Sequence, residues 1–269
     1  MTHIVGMMFS HNEGDILEET MSSALNQVDS LFFADDGSTD NSWDVIEPYK
    51  SLCEVAVKRD RTPKDKGQRQ FLLDEIRKRY KPEDTWVQII ESDIFILDTD
   101  IKEAIKKHAV HDLAMSWMCL NAARPKGGWT GEIDSYPNWE IPMRTLMPGM
   151  HWMEFMLYTF RPLPGLIYDS QNAWRPWPSG FGQYADGKQV KGAYGRKPDA
   201  PLLLHVGYRG PRHFCQKYKG RWPGDKHPKY GWDVSSVDKV RETCFFFNGT
   251  WNKRLMEASR AGWVRYRTS

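Results

Sequence analysis

The sequence predicts an α/β protein built on a mostly parallel sheet with helices covering both faces. Three observations carry that expectation. Strand-like and helix-like segments alternate through the first 120 of the 269 residues. The helical stretches between strands run to about 10–15 residues, the length of a right-handed βαβ crossover. Three stretches rich in carboxylates, "SHNEGD", "DDGSTD" and "ESD", fall where strands should end.

Each element has its own local warrant. "HIVGMMF" (His3–Phe9) is a short apolar run, and "DILEETMSSALNQ" after it places Ile16, Leu17, Met21 and Leu25 at helical spacing. "SLFFA" (Ser30–Ala34) reads as a second strand, halted by "DDGSTDNS", a cluster of turn and cap residues. A helix is expected from Ser42 to Tyr49, then a third strand, "EVAVK" (Glu54–Lys58). "KGQRQFLLDEIRKRY" is amphipathic, with Phe71, Leu72, Ile76 and Tyr80 to one side. "WVQII" is the fourth strand, "IKEAIKKHAV" a helix and "DLAMSWMCL" a fifth strand.

After Asn121 the pattern changes. "NAARPKGGWTGEIDSYPNWEIP" is dense in Gly, Pro and Trp and reads as a long loop, a type usually functional inside a compact domain. "MRTLM" and "HWMEFMLYTF" look like further strands at a sheet edge, and "PLLLHVGY" like a buried strand. From about Arg212 the chain reads as helical. The expected organisation is one domain over 1–210, with halves 1–120 and 121–210, followed by a mainly helical extension over 211–269.

Composition excludes several classes. The 37 basic residues are balanced by 35 acidic ones, giving a net charge of +2 and no basic footprint for nucleic acid. The four cysteines are far apart and form no CxxC pair, which suits reduced thiols in a cytoplasmic protein. No apolar run approaches the roughly 20 residues of a membrane span, and the N-terminus lacks a signal peptide's regions. A soluble, cytoplasmic protein with no transmembrane segment is the expectation. Twelve tryptophans are unusual. Those at Trp129, Trp139, Trp152, Trp174 and Trp177 would serve either as sugar platforms or as packing.

In an open parallel sheet, ligands bind at the carboxyl ends of strands. Taken singly, the acidic stretches have local explanations: "DDGSTDNS" as turn and helix cap, Asn12 to Asp15 as a cap for the first helix. Those explanations leave out their convergence on one sheet edge. In their order and spacing, "MMFSHNEGDILEETMSSAL", "FFADDGSTDNS", "GQRQ" and "WVQIIESDIFI" resemble the GT-A glycosyltransferases, specifically the large family 2 group. The resemblance covers the first 120 residues well, and more loosely "IPMRTLMPGMHW" and "LLLHVGYRG".

That resemblance implies a GT-A fold, a nucleoside-diphosphate-sugar donor of UDP or GDP type, and a glycan or other hydroxyl acceptor. It implies a hexosyltransferase-type enzyme assisted by a divalent metal, Mn²⁺ or Mg²⁺. Asp35 and Asp36 would face base and ribose, with Ser10, Asn12 and Glu13 lining the same pocket. Arg69 would sit near the diphosphate, its fork suited to phosphate oxygens; the alternative is a solvated helix face. The family's Asp-x-Asp metal motif reads Glu91-Ser92-Asp93 here, so Asp93 is the expected ligand, with Glu91 on either metal or ribose. Asp98-Thr99-Asp100 is a literal Asp-x-Asp, but it precedes a helix and suits capping instead.

His205 would be a further metal ligand by resemblance, or else a core histidine. An inverting transfer needs a carboxylate base, with Glu132, Asp134, Glu140 and Glu154 as candidates and Glu154 preferred for its place after the Arg144 segment. Inversion itself follows from the resemblance alone. Two other functions fit the same architecture: a nucleotidyltransferase, and a non-catalytic module that binds nucleotide sugars. "SHNEGD" is not the Gly-rich, Arg-bearing loop that a nucleotidyltransferase would carry after its first strand.

Overall fold

A computed structural model of the chain describes residues 2–61, 66–97, 101–108, 114–122, 151–166, 202–205, 207, 210–228 and 231–244. The strands are β1 (His3–Ser10), β2 (Ser30–Asp36), β3 (Val55–Arg59), β4 (Thr85–Glu91), β5 (Ile94–Leu97), β6 (Ala114–Ala122), β7 (His151–Phe160) and β8 (Leu202–His205). The helices are α1 (Leu17–Gln27), α2 (Ser42–Val45), α3 (Lys66–Arg79), α4 (Ile101–His108), α5 (Pro211–Tyr218) and α6 (Val237–Thr243). The chain divides into two compact units, one of Met1–Met118 with Phe155–Leu202, the other of Cys119–Glu154 with Leu203–Ser269.

In the first unit the strands run in the order β3-β2-β1-β4-β7. β1 pairs in parallel with β2 and β4, β2 pairs in parallel with β3, and β7 joins β4 antiparallel through Thr159 and Phe160. The central strands are mostly apolar because helices cover both faces. From Ile4 onward every residue of β1 is buried, and so are Thr85 through Ile90 of β4. Where polar residues enter this core they pair with each other. Thr159 donates to Gln88 across the β4–β7 register at 2.5 Å, and Gln88 donates in turn to the Ile89 carbonyl at 2.9 Å.

α1 buries Leu17, Met21 and Ala24 with Ile16 just before it, and α3 buries Leu72, Leu73 and Ile76. Arg77 ties α3 to the chain leaving β7, donating to the Pro162 carbonyl at 3.2 Å. Ile101, the first residue of α4, donates its N–H to Gln27 at the end of α1 at 3.0 Å. The second unit packs α5 against α6 around Phe214, Trp232, Val234, Val240 and Cys244, all buried. Tyr218 stacks on Trp222 at 5.1 Å, and Ser236 caps α6 by accepting the Lys239 N–H at 3.2 Å.

Three local expectations change. The helix expected over 42–49 is one α-turn, followed by a 3₁₀ segment from Glu47 to Leu52. Pro48 has no N–H to donate to the carbonyl four residues back, which stops an α-helix there, while it is tolerated in the first turn of the 3₁₀ segment. No side chain caps α1, whose cap position is Ile16. Its first N–H groups, from Ile16 and Leu17, are taken by the Glu13 carbonyl at 3.0 Å each. β5 was not anticipated, because four apolar residues are too few for periodicity to reveal. The segments "MRTLM", 98–100 and 251–263 lie outside the described residues.

One ion pair near the start of the sheet has a pH signature. Burial pushes the Asp29 carboxyl up, but Lys102 Nζ at 2.7 Å and the Ile4 N–H at 2.9 Å outweigh it and hold the group below its ordinary 3.8. A carboxyl held low in the folded state stabilises fully above the unfolded value, and that contribution vanishes as pH falls through the folded one. Asp29→Asn should therefore lower stability near neutral pH by up to about 1 kcal/mol. The difference from wild type should shrink as pH drops below 3.8. Urea unfolding of both proteins across that range checks it, and a gap that stays constant contradicts it.

Candidate functional site

Parallel pairing aligns the strand ends residue by residue. Ser10 stands opposite Asp35, and Asp35 opposite Lys58; one residue earlier, Phe9 stands opposite both Ala34 and Glu91. Asp36 stands opposite Arg59. β1 to β4 all run the same way, so these residues leave the sheet at one edge, the carboxyl edge.

Ser10, Asp35 and Asp36 are all buried. Asp35 Oδ1 accepts the Ser38 N–H at 2.9 Å, which closes the turn after β2. The turn needs glycine at its third residue: Gly37 has φ of +67°, and a Cβ there would sit 2.8 Å from the Arg61 nitrogen. Asp35 Oδ2 and Ser10 Oγ are buried with no hydrogen-bond partner among the described residues. Adjacent buried oxygens left unmet are a feature that calls for a ligand or water to explain it. Beside them, Gly37, Ser38, Lys58, Arg59 and Asp60 line a cavity of about 650 Å³.

The loops after β1 and β2 are laced together by side chains. Asn12 adopts φ of +55°, and its amide oxygen accepts N–H groups from Thr39 at 2.8 Å and Asp40 at 3.3 Å. Its own N–H goes to Ser38 Oγ at 2.9 Å, and the Glu13 N–H goes to Ser42 Oγ at 3.0 Å. Asp40 takes the N–H groups of both Gly14, at 3.1 Å, and Ser42, at 2.9 Å. Asn12 thus shapes the loop, while Glu13 beneath it is buried. His11 Nδ1 donates to the Asp36 carbonyl at 2.8 Å, and Arg61 reaches the other ring nitrogen.

α3 contributes two polar residues from its buried side. Arg69 is only 1% exposed, which removes the solvated-face alternative. Its guanidinium lies 3.6 Å above the Phe9 ring, and Nη2 donates to Glu91 Oε1 at 3.2 Å. A buried guanidinium needs such partners, since desolvation otherwise exceeds what attraction returns. Gln68, also buried, donates to Asp36 Oδ1 at 2.6 Å and to the Asp60 carbonyl at 2.8 Å. Sequence reasoning passed over Gln68, although the spacing held a signal. Residues 68, 72 and 76 share one helical stripe, and a glutamine on a stripe otherwise made of Leu72 and Ile76 is out of pattern.

Ser92 and Asp93 form the buried turn between β4 and β5. Glu91 and Asp93 bring carboxylate oxygens within 4.8 Å of each other. A pair of hard oxygen donors at that separation fits a divalent cation such as Mg²⁺ or Mn²⁺. Two further candidates sit on strands: Glu154 on β7, and His205, half-buried, at the end of β8 in the second unit. Glu132, Asp134, Glu140, Arg144, the Asp98–Asp100 triad and four of the five loop tryptophans lie outside the described residues; Trp152 is on β7.

With that geometry in hand, comparison with known proteins is informative. The family model described as Glycosyl transferase family 2 matches residues 7–158. No curated protein matches the chain by sequence. Among solved structures, TarS 1–349 of S. aureus in complex with UDP has 18% identity over 53% of this chain and 38% of its own, with a TM-score of 0.34. TarS 1–349 without that ligand has 14% identity over 93% of this chain and 73% of its own, with a TM-score of 0.38. The mannosyltransferase PcManGT of Pyrobaculum calidifontis, in complex with GDP-Man and Mn²⁺, has 11% identity over 97% of this chain and 75% of its own, with a TM-score of 0.40.

The laced loops make a direct prediction. Asn12→Ala removes the contacts accepted from the Thr39 N–H, the Thr39 hydroxyl and the Asp40 N–H at a left-handed residue and should destabilise by about 2–3 kcal/mol. Asn12→Gly loses the same contacts without the backbone strain and should lose less. Chemical denaturation of both variants measures the order, and Asn12→Gly proving the less stable of the two would refute it.

Proposed function

The chain belongs to glycosyl transferase family 2, whose sequence model spans more than half of it, and we propose that it moves a sugar from a nucleoside-diphosphate-sugar donor to an acceptor hydroxyl. The observation that carries this reading is the convergence, inside the matched region, of Ser10 at the end of β1 with the acids that end β2 and β4 on one sheet edge. Membership supplies the reaction class, and the edge supplies residues suited to it.

Asp35, with Ser10 beside it, receives the donor's base through buried oxygens that have no partner among the described residues. Asp36 receives the ribose. Both are held in place before the donor arrives, Asp35 by the Ser38 N–H and Asp36 by Gln68, so little ordering remains for binding to accomplish. Arg69 acts from beneath the site by fixing Glu91, and a carboxylate so held keeps one orientation. Asp93 is the principal metal ligand in this reading, with Glu91 adjacent. A divalent cation, when bound, neutralises charge on the diphosphate as the sugar leaves. The transfer inverts the anomeric centre. Glu154 takes the acceptor hydroxyl's proton, and Glu132, Asp134 and Glu140 are the other acids that the sequence offers for that role.

Purified protein given a panel of UDP- and GDP-sugars with Mn²⁺ or Mg²⁺ should release nucleoside diphosphate, and Asp93→Ala should abolish that release. Glu154→Gln should lower kcat by at least about 100-fold while leaving nucleotide affinity within about twofold. Pyrophosphate formed from sugar phosphate and nucleoside triphosphate would replace this reading with nucleotidyl transfer. Nucleotide-sugar binding without turnover across a broad acceptor set would replace it with a binding module.

A further inference from the structure

Gln68 is fully buried in the first turn of α3 and joins three parts of the first unit. Its amide donates to Asp36 at the end of β2 and to the carbonyl of Asp60, just after β3. Both partners are pure acceptors, a carboxylate and a backbone carbonyl, so the amide nitrogen must face them. That leaves Oε1 as the other end, buried and with no hydrogen-bond partner among the described residues. A residue serving only to pack α3 on the sheet would not carry an unmet acceptor into the core. Leucine, as at Leu72 one turn along the same stripe, would pack there at no such cost.

The chemistry of the amide explains the choice. Gln68 is a neutral donor, so it fixes one carboxylate oxygen of Asp36 without cancelling the negative charge. An arginine at the same point would hold the carboxylate but neutralise it toward any incoming hydroxyl or N–H. Asp60 lines the cavity together with Gly37, Ser38, Lys58 and Arg59, so the second hydrogen bond fixes part of that wall. We propose that Gln68 is a positioning residue for nucleotide binding. It sets the rotation of the Asp36 carboxylate and the place of the Asp60 backbone, so that Asp36 meets the donor's hydroxyl or N–H groups already aligned. The inference rests on the donor reading given above and adds to it a residue that acts through Asp36.

A double-mutant cycle on the full chain tests it. Dissociation constants for UDP and for GDP are measured by calorimetry for wild type, Gln68→Met, Asp36→Asn and the double variant, with thermal midpoints confirming that each is folded. Gln68→Met should weaken the tighter of the two nucleotides by about tenfold, the usual scale for a hydrogen bond to a charged group. In the Asp36→Asn background the same change should add less than about twofold, because the residue through which Gln68 acts is already altered. If Gln68→Met does not fold, Gln68→Leu takes its place: it removes the donor with the side chain already found at Leu72 on the same stripe, and should weaken binding with the same dependence on Asp36. Equal losses in both backgrounds would reduce Gln68 to an independent structural role and overturn the proposal. So would unchanged affinity in a wild type that binds. A wild type that binds neither nucleotide overturns the donor reading itself, and the role of Gln68 with it.

Discussion

Parallel pairing of β1 with both β2 and β4 is the constraint on which the rest depends. Antiparallel neighbours would send alternate strand ends to opposite edges. Here Ser10, Asp35, Asp36 and Glu91 all finish at one edge, and the loops that follow them must meet there. The crossovers α1 and α3 enforce the arrangement, since their buried stripes of Leu17, Met21 and Ala24, and of Leu72, Leu73 and Ile76, seat them on the sheet.

Bringing carboxylates to one buried edge raises their mutual repulsion and their desolvation cost, and the chain answers in three ways. Glu91 is met by the Arg69 guanidinium, itself supported on the Phe9 face. Asp35 and Asp36 each have one oxygen bound, by the Ser38 N–H and by the Gln68 amide. Asp40 is satisfied by backbone N–H groups from its own loop and from the loop after β1. Asp35 Oδ2 and the neighbouring Ser10 Oγ are buried without a hydrogen-bond partner among the described residues. In the proposed donor-binding reading, an edge that holds its carboxylates rigid is preorganised for a ligand rich in hydroxyl and N–H donors.

Much of this was legible in the sequence. Strand and helix alternation over the first 120 residues follows from apolar runs and amphipathic spacing, and β1, β2, β4, α1 and α3 fall where those patterns place them. The acidic stretches sit at the strand ends that the pattern implies. Where the reading slipped, the cause was local chemistry that competes with pattern. Pro48 turned a helix into a 3₁₀ segment, and β5 was too short to have a period.

The sequence by itself determined the fold class, the family and the acids at the sheet edge, because all three rest on residue type, spacing and order along the chain. Only the tertiary structure decided what each polar residue does there. Asn12 is placed in the pocket lining by resemblance, and the structure adds that its amide holds the next loop. Arg69 is placed near a diphosphate by resemblance, and the structure adds that it is buried against Phe9 and Glu91. Gln68 drew no notice in the sequence, yet it grips Asp36 from 32 positions away along the chain. The reason is physical: a hydrogen bond or ion pair needs two groups within about 3 Å, and separation along the chain says nothing about that until the sheet has closed it.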